Sequence, residues 1–71
     1  GIFNISFVSD ELNSFELTII DAFGKLIEIE KKEMFIGEFT KQVNLSEYPK
    51  GIYMVQIKTN ESFISKRVVV Q

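Results

Sequence analysis

The sequence predicts a small all-β domain, an antiparallel sandwich of six or seven short strands. Three observations carry that prediction. Apolar and polar residues alternate along most of the chain, turn-forming clusters recur every 8–12 residues or so, and no segment holds a helical period over a useful length.

The strands follow in order. Phe3, Ile5 and Phe7 face one way and Asn4 and Ser6 the other. Asp10-Glu11-Leu12-Asn13-Ser14 is a polar loop, after which Phe15, Leu17 and Ile19 alternate with Glu16 and Thr18. Asp21-Ala22-Phe23-Gly24-Lys25 reads as a hairpin turn, because Gly24 accepts the positive φ that such turns require. Ile27 and Ile29 then face inward, with Glu28 and Glu30 outward, and Lys31-Lys32-Glu33 forms a solvated rim. Met34-Phe35-Ile36 before Gly37 is a short extra strand. Phe39, Val43 and Leu45 carry the next one to a break at Ser46-Glu47-Tyr48-Pro49-Lys50-Gly51. Tyr53, Val55 and Ile57 point inward, Thr59-Asn60-Glu61-Ser62 turns the chain, and residues 63–70 make the last strand.

Size and composition narrow the function. Seventy-one residues make one domain, over residues 1–71, and a domain that small buries only about 60% of the surface its unfolded chain exposes. Without cysteine or histidine, the fold has no disulfide and no ordinary zinc site, so apolar packing and strand pairing must hold it. Seven Phe and two Tyr supply much of that packing. A net charge of −2 with interspersed signs gives no footprint for nucleic acid or anionic lipid. The apolar runs are too short for a membrane span, so no membrane insertion is expected. Gly1 enters a strand pattern at once, with no initiator Met or signal region before it, and the chain is read as excised from a longer protein.

Candidate chemistry is sparse, and a non-catalytic domain without cofactors is expected. Glu28 and Glu30 lie about 7 Å apart along a strand, a separation that suits an inverting glycosidase, but their face lacks the apolar neighbours that would raise one pKa. Ser65 and Lys66 are adjacent strand residues pointing to opposite faces, so the amine does not reach the hydroxyl. The four glycines are too far apart for a phosphate loop. Asp10, Glu11 and Asn13 offer calcium-type oxygens without the full ligand spacing. Asn4, Asn44 and Asn60 begin Asn-x-Ser sequons, a weak sign of a glycosylated host. Lys66-Arg67 is a basic doublet that suits either a soluble strand rim or a recognition role.

Residues 48–57, Tyr-Pro-Lys-Gly-Ile-Tyr-Met-Val-Gln-Ile, are the most specific stretch. Pro49 ends a ladder, Gly51 permits a tight re-entry, and Tyr53 is placed to bond its hydroxyl back to upstream backbone, the tyrosine corner of immunoglobulin-like sandwiches. The same stretch resembles the L-P-x-G-x-Y-x-V-x-V segment of type A C-terminal sorting domains of the bacterial type IX secretion system. Four more segments agree in order and spacing: Gly1-Ile2-Phe3-Asn4-Ile5 with G-x-F/L-x-I, Asp21 to Lys25 with D-x-x-G-K/R, Val43-Asn44-Leu45-Ser46 with I-D-L-S, and residues 65–70 with x-K-K/R-I/V-V-V. Tyr48 replaces the usual Leu, and a Pro-Asn-Pro stretch before the first Gly is absent.

The resemblance implies an immunoglobulin-like fold and a Bacteroidota host. It also implies a signal domain that passes from the periplasm through the outer-membrane translocon with its upstream cargo, to the cell surface or medium. A sortase-like surface protease would then remove it. Lys50, Gly51, Tyr53, Lys66, Arg67 and Val68 match the segments associated with sorting, Gly51 and Tyr53 in recognition or in folding. The other reading is a fibronectin-III-like adhesion or spacer module for sugar or protein, which an exposed aromatic cluster on one sheet face would favour.

Overall fold

Period-2 alternation does produce strands, but they are longer and fewer than the pattern suggests. The computed structural model describes all residues, Gly1–Gln71. It contains four strands, β1 (Ile2–Asp21), β2 (Leu26–Asn44), β3 (Gly51–Thr59) and β4 (Phe63–Val70), and no helix. They form one antiparallel sheet in the order β2-β1-β3-β4. The six or seven expected strands are thus four, because several expected breaks lie inside β1 and β2.

The expected loop at residues 10–14 is one such break. Pairing between β1 and β2 stops after Ser9–Gly37 and resumes at Asn13–Phe35 with extra residues on β1, a bulge that bends the strand without ending it. The buried Ser9 hydroxyl donates to the Glu11 carbonyl at 2.6 Å. Met34 and Gly37 on β2 take positive φ, 52° and 106°, where the partner strand bends with it. Met34-Phe35-Ile36 is therefore the middle of β2, not a separate strand.

The bend folds the hairpin over, so that both of its halves share one core. Phe7 and Phe15, on either side of the bulge, lie with ring centroids 5.1 Å apart. Phe15 also meets Phe39 at 5.1 Å and Phe35 at 5.6 Å, both edge to face. Leu17, Ile19, Val43, Leu45, Tyr53, Val55, Ile57 and Val70 continue the core.

A second bulge corrects the expected facing of the acidic pair. Continuing the pairing Ile20–Leu26 away from the turn would set Ile27 opposite Ile19 and Ile29 opposite Leu17. Instead Ile27 is extra, and Glu28 and Glu30 stand opposite Ile19 and Leu17. Both glutamates therefore turn to the core side at the edge of the sheet, while Ile29 is exposed. Lys41, from the other half of β2, pairs with both: its Nζ lies 2.7 Å from a carboxylate oxygen of each, and Lys32 adds a second cation 3.7 Å from Glu30.

This latch joins the two halves of one strand. The bonds to Glu28 and Glu30 raise the Lys41 pKa above 10.5, and the bond from Lys41 holds Glu30 below 4.5. For Glu30, stability is present above pH 4.5 and lost as the pH falls through its depressed value. For Lys41, it is full below pH 10.5 and lost as the pH rises through its raised value. All three side chains keep some solvent contact, so Lys41→Met is expected to cost about 1–2 kcal/mol near neutral pH. Urea denaturation series should show the gap between variant and parent narrowing below pH 4.5.

Candidate functional site

Because β1 and β2 fold at their middles, the ends of both strands gather at one pole of the molecule. There the turn at 21–25, the loop at 45–50, the start of β3 and the end of β4 meet, with Asp21 opposite Tyr53 and Gly51 opposite Val70. The Leu45 amide donates to the Gly1 carbonyl at 2.8 Å, which brings the start of the chain to the same pole.

Each segment there has a local cause. One oxygen of Asp21 accepts the amides of Phe23 and Lys25, both at 2.9 Å, and Gly24 takes φ 85° to let the chain reverse. The Asp-x-x-Gly-Lys spacing thus encodes a turn stapled by its own first side chain. Asn44 makes a comparable Asx turn by accepting the Ser46 amide at 2.9 Å. In residues 49–53 the buried Tyr53 donates its hydroxyl to the Pro49 carbonyl, the corner expected from the sequence. Gly51 takes φ 151° at the entry to β3. Tyr53→Phe keeps the ring and removes that bond, so a loss of about 0.5–1.5 kcal/mol is expected. An unchanged denaturation midpoint would mean the hydroxyl contributes nothing.

The six candidate residues divide into two groups. Gly51, Tyr53 and Val68 sit together, Val68 directly across from Tyr53, and Lys50 projects from the adjoining loop. A shallow hollow of about 190 Å3 opens there between Lys25, Phe23, Tyr48 and Lys50. Lys66 and Arg67 lie further along β4 and diverge. Lys66 pairs with Val55 on the core-facing side, and Arg67 pairs with Met54 on the outer side. Both are exposed, on a strand whose second edge has no neighbour in the sheet.

Other candidates do not assemble into chemistry. Glu28 and Glu30 are both paired with Lys41, and Glu30 with Lys32 as well. Asp10 and Glu11 stand at the β1 bulge, and no three His, Cys, Asp or Glu side chains gather as a metal site. Lys41 and the β2 bulge were missed by the sequence reading, since a lone lysine in an alternating strand looks like any solvated residue. An exposed aromatic face is not present either. Four of the phenylalanines pack together inside, while Phe23 and Tyr48 are at the loop pole and Phe63 at the start of β4.

The model of the secretion system C-terminal sorting domain matches residues 1–71, the whole chain. The chain belongs to that family. Comparisons with curated proteins and with solved structures give no match. As a sorting domain it is a C-terminal signal for type IX secretion, and its segments now have physical roles. The Asp21 turn and the Tyr53 corner fix the pole, while β4 carries charge along a free edge.

Proposed function

We propose that this sorting domain ends a cargo polypeptide, crosses the periplasm with it, and is read by the outer-membrane translocon chiefly through Lys66 and Arg67 on β4. A sortase-like surface protease then cuts upstream of the folded part, leaving the cargo at the cell surface or in the medium. Gly51 and Tyr53 act by shaping the pole, Lys50 adds a charge beside it, and Val68 backs Tyr53. The domain performs no catalysis of its own and needs no cofactor.

The observation that carries this reading is the placement of two unpaired cations on an edge strand. Neither Lys66 nor Arg67 has a carboxylate within ion-pair distance. Exposed charges contribute about 0–1 kcal/mol to folding, so their value lies in what they meet, and an edge strand is a surface that another chain can read in register. In a reporter with a periplasmic signal and this domain at its end, Lys66→Ala with Arg67→Ala should leave the domain folded and trap the reporter in the envelope. Normal export of that variant would move recognition to Lys50 and Gly51.

A further inference from the structure

The two layers made by the folded hairpin are unequal. The second half of β1 is paired on both sides, to β2 and to β3, whereas the first half, residues 2–9, is paired only to β2. Its other edge overhangs the core-facing side of β3 and β4, and the gap is a groove of about 250 Å3.

The lining shows how the groove is built. From β1 come five consecutive residues, 3–7, whereas β3 and β4 contribute alternate ones, Val55 and Ile57, then Ile64, Lys66 and Val68. Consecutive residues line a groove when a strand presents its edge, alternate residues when a sheet presents its face. An edge leaves every second residue's N–H and C=O without a ladder partner. The groove is therefore a strand-shaped slot, with hydrogen-bonding groups on one wall, an apolar floor and a single charge, Lys66.

We infer that this groove binds an extended segment of another polypeptide by strand addition to residues 3–7, with apolar side chains on the floor and a carboxylate against Lys66. Charge decides the occupant. A second copy has two free edge strands: β2, whose core-side carboxylates Glu28 and Glu30 are already paired with Lys41, and β4, whose centre is Lys66-Arg67 and would set like charges together in the slot. An acidic strand has the opposite sign. The inference goes beyond the proposed reading of Lys66 by the secretion machinery, since it adds the free edge of β1 and the apolar floor of the groove.

The test uses two synthetic strands of alternating Val and Thr, one with a central Glu and one with Lys in its place. Each is titrated into the isotopically labelled chain while amide exchange is followed. The Glu strand should slow exchange at alternate amides of residues 3–7 and bind at least tenfold tighter than the Lys strand, and Lys66→Glu should reverse that preference. Equal binding of the two strands, no protection, or protection confined to β4 would overturn the inference. So would concentration-dependent protection of residues 3–7 without peptide, which would make a second copy the occupant.

Discussion

Phe15→Ala should remove about 3–5 kcal/mol, roughly half of the domain's stability. Phe15 is 3% exposed and is the one ring in contact with three others, Phe7, Phe35 and Phe39. Phe7 comes from the first half of β1, Phe35 from the middle of β2 and Phe39 from its second half, so Phe15 fills the inside of the bend. Removing a buried Phe side chain costs about 3–5 kcal/mol, and a chain of this length has only about 4–10 kcal/mol of stability in all. Only twelve of 71 residues are buried, which leaves few other contacts to compensate. Phe15→Leu, which keeps most of the volume, should cost about 1–2 kcal/mol. Urea denaturation followed by circular dichroism separates the two, and a shift below about 1 kcal/mol for the alanine variant would mean that the bend is held by something other than its ring cluster.

Tyr53→Ala is expected to have an effect at least as large. The side chain is 3% exposed, stands between Asp21 on β1 and Val68 on β4, and ties its hydroxyl to Pro49. Losing the ring leaves a cavity worth about 3–5 kcal/mol, and the bond to Pro49 adds about 1 kcal/mol. The loss should appear first at the pole, as faster amide exchange around residues 45–51, before global unfolding. Uniform loosening of all four strands, with no excess at the loop, would contradict the role of Tyr53 as a corner.

The contrast between Tyr53 and Glu28 shows what the sequence made legible. Tyr53 was placed correctly because its constraint is local: a Pro, a Gly and a Tyr within five residues define a corner whatever the rest of the fold does. The Asp21 turn was readable for the same reason, since its hydrogen bonds span no more than four residues. Glu28 and Glu30 were assigned to the wrong face because a one-residue bulge reverses every position beyond it, and nothing in the alternation of residues 26–30 marks where the extra residue falls. Likewise the polar stretch at 10–14 has the composition of a loop, yet the strand continues through it because Ser9 bonds within the bulge. The segments that suggested the family were legible as patterns. Their meeting at one pole was not, because it follows from the folding over of β1 and β2.

The central claim, that these residues form a sorting signal whose fold presents β4 for recognition, is tested most directly by transplantation. A periplasmic reporter carrying residues 1–71 at its C-terminus is expressed in a bacterium with a working type IX system and in an otherwise identical strain lacking the translocon, and its distribution is measured by fractionation. The reporter is expected outside the cell in the first strain and confined to the periplasm in the second. Retention in both, with the domain shown to be folded, would contradict the account.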